Sequence, residues 1–355
     1  MLLYGVVLTK LIDIHQANVI GLGAEKFASG VVKELESVSE IRISTVYING
    51  IKESFHTKCN IVKIHYGLGI LSRLLEIFCW RFCRDQKNEI VVLGDLPLNT
   101  SCKQYVLCHQ SLMFKRYSLL SVNFYKFFLF RLIFRIFLKK NDIVLVQSQE
   151  MAQKISNKIS NKIDVRVLKL DSHYYGWPTF LRTKRVISQI DPKAIRLFYP
   201  SAFYPHKNHR MLNLIELESS TDIIVTIDKD QLPNCKNSVI FKGRITRDEV
   251  YDLYQEVDAL LFLSRNESLG LPILEAIKCN LPIICPYAEY TKDLPSDNCF
   301  HFDLEDPDSL EDAIYSLREK MHQGWWPNWN FNAIYKTDTD ISIADLLVGS
   351  RSSQG

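Results

Sequence analysis

Hydrophobic positions in this chain fall in short runs separated by longer amphipathic stretches. Runs with strand character are Leu2–Leu8, Ile41–Ile48, Ile61–Ile64, Ile90–Leu93, Tyr105–Cys108 and Ile143–Gln147. They resume at Arg196–Pro200, Ile223–Thr226, Ser238–Lys242, Ala259–Leu263 and Leu281–Cys285. Several, such as Ala-Leu-Leu-Phe-Leu, hold no polar residue, the pattern of strands buried on both faces. Alternation with helical stretches predicts βαβ units around parallel sheets, an α/β fold. The stretch from Asp171 to Asp191 has no clear period and reads as a linker. The pattern therefore predicts an N-terminal doubly wound domain over 1–175 and a second over 190–327, facing each other across a cleft. Ligands of such sheets sit in the loops that follow the strands.

One segment breaks the alternation. Met113 to Lys140 contains Lys115, Arg116, Lys126, Arg131, Arg135, Lys139 and Lys140, no acidic residue, and a phenylalanine in almost every turn. Read as one helix, it places Arg131, Arg135 and Lys139 on a narrow stripe. Charges at that spacing argue against a membrane span. Three readings stay open: an apolar core helix with a solvated basic edge, a helix lying in a membrane interface, and a nucleic-acid surface. The basic surplus favours an anionic membrane surface, with Lys126, Arg131, Arg135 and Lys139 as its contacts.

Composition narrows the class. A chain of 355 residues exceeds what one core covers, so two domains are expected. Hydrophobic content of 47% with 23% charged residues excludes a disordered chain. A net charge of +3 gives no general basis for nucleic-acid binding. The nine cysteines form no C-x-x-C pair, and neither a zinc site nor a disulfide framework is expected. The N-terminus has no basic leader or cleavage site, so a cytoplasmic location is expected, peripheral at the inner face of the membrane if the basic helix docks there.

The chemistry concentrates in Ser264–Pro286. A strand ending at Ser264 enters a loop with Glu267 and Gly270, and Pro272 opens a helix with Glu275 expected in its first turn. The N–H groups of Leu269, Gly270 and Leu271 then face outward from a helix N-terminus, where an anion binds well. Carboxylates at 267 and 275 flank that position, suited to the hydroxyls of a sugar joined to a phosphate. A surface helix with two solvated glutamates is the plain alternative.

The ordered string Ser, Glu, Gly-Leu-Pro, Leu-Glu-Ala, Asn-Leu-Pro-Ile-Ile resembles the E-x7-E signature of retaining glycosyltransferases of family 4, which have the two-domain GT-B fold with Rossmann-like halves. The resemblance implies transfer of a sugar from a nucleotide-sugar to a hydroxyl of a lipid-linked saccharide acceptor in surface polysaccharide or lipopolysaccharide synthesis. It implies that Glu267 holds donor-sugar hydroxyls, Glu275 the ribose, Lys207 the diphosphate, and His109, after an N-terminal strand, a donor hydroxyl. Gly21 and Gly23 match the family's first glycine loop, and Gly243 with Arg244 its turn beside the base. Many members have an arginine where this chain has Ala202, and Arg265 is the expected substitute. A closing helix at about 328–347 is expected to return to the first domain, and the tail after Leu347 to be disordered. No metal and no cofactor are expected; Asp228-Lys-Asp230 reads as a polar loop. A non-catalytic GT-B subunit of a polysaccharide-assembly complex and a nucleotide-sugar epimerase are the alternatives.

Overall fold

The computed structural model describes residues 9–17, 22–49, 59–64, 70–83, 87–159, 162–168, 194–217, 220–236, 238–330, 334 and 341–349. Residues 1–176 with 337–355 form one compact unit, and residues 177–336 a second.

The first unit carries a seven-stranded sheet. Its strands are β1 (Lys10–Ala17), β2 (Ile41–Asn49), β3 (Asn60–Ile64), β4 (Glu89–Val92), β5 (Gln104–Leu107), β6 (Ile143–Val146) and β7 (Asp164–Val167). Their spatial order is β3-β2-β1-β4-β5-β6-β7, and every pair is parallel. Its described helices are α1 (Leu22–Ser37), α2 (Ile70–Cys83), α3 (Val122–Phe137) and α4 (Gln149–Lys158). The second unit has a six-stranded parallel sheet of β8 (Ile195–Tyr199), β9 (Thr221–Val225), β10 (Ser238–Phe241), β11 (Ala259–Leu261), β12 (Ile283–Pro286) and β13 (Cys299–Phe302). They lie in the order β10-β9-β8-β11-β12-β13, with α5 (Arg247–Glu256), α6 (Leu271–Lys278) and α7 (Asp308–His322) around them. Each sheet reverses its winding beside its first strand, at β1/β4 and at β8/β11. Such a switch point opens a crevice at the carboxyl ends of the strands.

The expected strand Leu2–Leu8 lies outside the described residues, and β1 is one the pattern did not predict. The sequence Lys-Leu-Ile-Asp-Ile-His-Gln-Ala opens on half-buried Lys10 and carries three buried polar residues, Asp13, His15 and Gln16. Asp13 and His15 are tolerated because partners are supplied from elsewhere. His15 Nε2 lies 2.7 Å from Glu76 Oε1, Arg73 donates to Glu76 Oε2 at 2.6 Å, and Asn88 reaches Asp13 at 3.3 Å. Burial alone raises the Glu76 carboxyl, but His15 and Arg73 outweigh it and bring it down to about 2. Buried charges are stable only with such pairing.

The basic segment is not one helix. Ser111–Phe114 forms a 3-10 turn, and α3 begins only at Val122, where the Ser121 hydroxyl accepts from Asn123 N at 3.2 Å. At 16 residues, α3 is about 24 Å long, short of the roughly 30 Å hydrocarbon core. No helix among the described residues is long and apolar enough to cross a membrane.

The closing helix expected over about 328–347 falls largely on residues outside the described ones. Residues 325–330 are irregular because side chains clasp them: Asn298 Oδ1 accepts from Asn328 N, and Trp329 Nε1 donates to Leu281 O at 2.7 Å. A helix α8 (Ile343–Gly349) is bound to the first unit by Lys10 Nζ to Leu347 O at 3.0 Å and Ala344 N to Glu34 Oε1 at 3.2 Å. It therefore runs past Leu347, where a disordered tail was expected; the residues beyond Gly349 lie outside the described ones.

Candidate functional site

In the second unit, β8 and β11 are neighbours at the switch point, so the loops following them run side by side. Tyr199, the last residue of β8, is fully buried; its hydroxyl donates to Lys207 O at 2.6 Å and lies 3.0 Å from Ser264 Oγ. Arg265 N donates to His206 O at 2.7 Å, which stitches the two loops together. A 3-10 turn over Pro205–Lys207 then ends on Asn208 in the left-handed region. As a result Lys207 Nζ sits 2.5 Å from Glu267 Oε1, and 5.9 Å from the centre of the Phe262 ring. Both charged side chains are less than one-fifth exposed, so solvent screens the pair weakly.

Gly270, with φ of 69°, is the N-cap of α6, and Ile273 N and Leu274 N both return to its carbonyl. A Cβ there would also meet Ile273 Cδ1 at 3.2 Å, so both conformation and space select glycine. Among the described residues no protein acceptor meets the N–H groups of Leu269, Gly270 and Leu271. The helix starts at Leu271, one residue before Pro272. Glu275 is thus the fifth helical residue, in the second turn and not the first as the sequence suggested. It is 1% exposed. Arg247 donates to its Oε1, and the Tyr254 hydroxyl to Oε2 at 2.9 Å. Burial lowers the Arg247 guanidinium, and Glu275 together with Tyr251 and Tyr254 more than offsets this, leaving it raised. Sequence reasoning missed Arg247. Its signal was the Thr246/Glu249 capping box of α5, which fixes Arg247 as that helix's first residue.

The other expected residues are placed variously. Gly243 turns with φ of 63°, and a Cβ on it would come within 2.8 Å of Asp228 Oδ1. Arg244 is exposed, and Ala202 is exposed on the β8 loop. Asp228 caps a 3-10 turn over Lys229–Gln231. Arg265 does not present a free charge in place of the absent arginine at 202. Its guanidinium pairs with Glu305 at 2.5 Å and reaches Asn208 Oδ1 at 3.3 Å, because the β13–α7 loop supplies the nearer carboxylate.

In the first unit, His109 follows β5 and is partly exposed. Its N–H and that of Gln110 donate to Asp95 Oδ1 at 2.7 and 3.1 Å. Its Nδ1 lies 3.0 Å from the same oxygen but off the line of a hydrogen bond. Asp95 itself follows β4 with φ of 63°. Gly23 is not in a loop: α1 starts at Leu22 and includes it. Gly21 lies outside the described residues.

The basic residues assigned to a membrane also make contacts within the fold. Arg131 donates to Met113 O at 2.6 Å, Arg135 to Lys158 O at 3.0 Å, and Lys139 to Cys102 O at 3.2 Å. Lys126 lies over the Phe127 and Phe130 rings. The stripe was legible: Arg135 and Lys139 stay exposed while they donate to backbone carbonyls of neighbouring segments.

His209, beside the Lys207 turn, is buried between the Tyr199 and Phe203 rings, and neither ring nitrogen has a hydrogen-bond partner among the described residues. Burial, with the Lys207 charge in support, lowers it from 6.5 to about 4. The native state then binds fewer protons than the unfolded chain between those values. Its contribution is complete above about pH 6.5 and is lost as pH falls toward about 4, on the order of 3 kcal/mol. Denaturant titrations across this window are expected to show a shallower acid loss for His209→Phe. Parallel slopes for variant and parent would refute the buried neutral imidazole.

A sequence profile described as glycosyl transferases group 1 matches residues 229–322, the span holding Arg247, Glu267, Gly270 and Glu275. Those residues are thus similar to the glycosyl transferases group 1 domain. The O-antigen biosynthesis glycosyltransferase WclY of Escherichia coli is 24% identical over 152 residues, 42% of this chain and 37% of that protein. The serotype-specific mannosyltransferase WbdA of Escherichia coli is 24% identical over 118 residues, 33% of this chain and 14% of that protein. The chain thus spans less than two thirds of either relative. Among solved structures, sucrose-phosphate synthase from Thermosynechococcus elongatus superposes with a TM-score of 0.65 at 14% identity, covering 97% of this chain and 98% of that one. Anabaena HepE in complex with UDP and glucose gives 0.65 at 15% identity, covering 97% and 100%. The lipopolysaccharide outer core galactosyltransferase WaaB gives 0.62 at 13% identity, covering 97% and 99%. Two parallel-sheet α/β units in this order are the GT-B fold.

Proposed function

We propose that the chain is a glycosyltransferase that moves a sugar from a nucleotide-sugar to a saccharide hydroxyl during O-antigen or lipopolysaccharide-type surface polysaccharide synthesis. The observation that carries this reading is the Lys207–Glu267 pair beside the open N–H groups of Leu269–Leu271, at the switch point of the second unit's sheet. As the bond from sugar to diphosphate breaks, negative charge grows on the leaving group. Lys207 and those N–H groups would stabilise it, a preorganised electrostatic effect that needs no reorganisation during the reaction. Glu267 would orient donor hydroxyls. Glu275, whose oxygens accept from Arg247 and Tyr254, would face the ribose. The same reading gives His109 a donor-sugar hydroxyl, and makes the transfer retaining, of the hexosyl type and independent of a metal.

The donor claim is tested by thermal shift of the full chain with UDP, GDP and dTDP. One nucleotide is expected to raise the melting temperature, since a ligand of the native state stabilises it, and Lys207→Ala is expected to lose that rise. No shift with any of the three would contradict the reading. A non-catalytic subunit is the second reading, favoured by Ala202 and by the engagement of Arg265 with Glu305.

We further propose that the first unit docks on an anionic membrane surface near a lipid-linked acceptor. Val122, Tyr125, Phe128, Leu132 and Ile136 form an exposed apolar stripe on α3, and Leu71, Leu75, Phe78 and Phe82 form another on α2. The Phe78 and Phe137 rings, 5.1 Å apart, join the two helices. Exposed Lys115, Arg116, Lys139 and Lys140 supply positive charge close by in the chain. Contiguous apolar surface flanked by cations suits an interface of headgroups and acyl chains. Co-sedimentation with phosphatidylglycerol vesicles is expected, together with its loss in the double variant Phe128→Ser, Leu132→Ser. Equal binding by that variant would exclude this face.

A further inference from the structure

The second unit brings together two cysteines and a histidine that are scattered in sequence. β12 pairs with β13 in parallel register, Ile283 opposite Cys299 and Cys285 opposite His301. Directly opposed residues of paired strands point to the same face, and so do residues two apart on one strand. Cys285, Cys299 and His301 therefore converge on one face of the sheet, and their ligand atoms all lie within 4.8 Å of one another. Cys285 and Cys299 are buried, and His301 is half-buried at β13, the edge strand of the described sheet.

We propose that Cys285, Cys299 and His301 bind a thiophilic divalent cation, Zn²⁺. Zinc bonds of about 2.3 Å to sulfur and 2.0–2.1 Å to nitrogen, opened to a tetrahedral angle, place the two atoms about 3.6 Å apart. The observed separation of Cys285 Sγ and His301 Nδ1 is 3.6 Å. Thiolate and imidazole donors with no carboxylate select Zn²⁺ over Mg²⁺ or Ca²⁺. Three protein ligands leave a fourth position for water or a small anion. The ion would cross-link the edge strand to its neighbour at the end of β12. The next loop carries Tyr290, whose hydroxyl donates to Ser264 O. This places the ion beside the β11 loop without making it part of the transfer chemistry, and the inference stands whether or not the chain is a transferase.

The test uses the full chain, kept reduced and stripped of metal by a chelator. Titration with Co²⁺ is expected to produce a near-ultraviolet thiolate-to-cobalt charge-transfer band, which Zn²⁺ then abolishes by displacement. Zn²⁺ alone is expected to raise the melting temperature. Cys299→Ser and His301→Ala should each lose the band and the thermal shift, while Cys235→Ser retains both. His301→Ala alters a half-buried edge residue and remains informative if the cysteine variant misfolds. A band absent from the parent chain, or one that persists in His301→Ala, overturns the proposal.

Discussion

Glu267→Gln is expected to reduce sugar transfer by about 10²–10³-fold while leaving the melting temperature within a few degrees of the parent. The substitution keeps the side chain's shape and an oxygen for Lys207 Nζ, 2.5 Å away in the parent, but removes the full negative charge. Two consequences follow from that loss. Donor hydroxyls meet a weaker acceptor, and the ammonium of Lys207 is no longer drawn to a fixed place beside the α6 N-terminus. Glu267→Ala goes further, leaving a largely enclosed cation with no partner. It is therefore expected to lose some stability as well, and the glutamine variant is the cleaner test. Turnover by Glu267→Gln within a few-fold of the parent would remove Glu267 from the chemistry.

Arg247→Ala has the largest expected effect on stability. Glu275 is almost wholly enclosed, and its charge is held by Arg247 and the Tyr254 hydroxyl. Removing one partner of a buried pair typically costs about 3–5 kcal/mol, because the other charge is left uncompensated. The pair as a whole is worth far less than that, since both ions were desolvated to form it. The double variant Arg247→Met, Glu275→Leu is accordingly expected to recover most of the loss. Urea unfolding of the three proteins measures this directly. A change below about 1 kcal/mol for Arg247→Ala would mean that water reaches Glu275 in solution.

What the sequence disclosed was what is local. Ala259–Leu263 announces a doubly buried strand and Pro272 the start of a helix, because each depends on its own few residues. Partnerships between distant segments were not legible. β1 was missed because its Asp13 and His15 look like surface residues until Arg73, Glu76 and Asn88 are brought to it. Arg247 lies 28 positions from Glu275, and no periodic pattern links them. Helical periodicity found the stripe of Arg131 and Arg135 but not its direction: an arginine can close a backbone carbonyl as readily as it can face water. The exposed face of α3 carries an apolar stripe beside Arg135. Cys285 and His301 meet only through strand register, which spacing does not encode.

The central claim is most directly tested by nucleoside diphosphate release from UDP-, GDP- and dTDP-sugars, measured for the full chain and for Glu267→Gln. The account predicts release from at least one donor, faster with a lipid-linked saccharide acceptor and nearly abolished in the variant. Equal release by both proteins, or none from any donor with acceptor present, would contradict it.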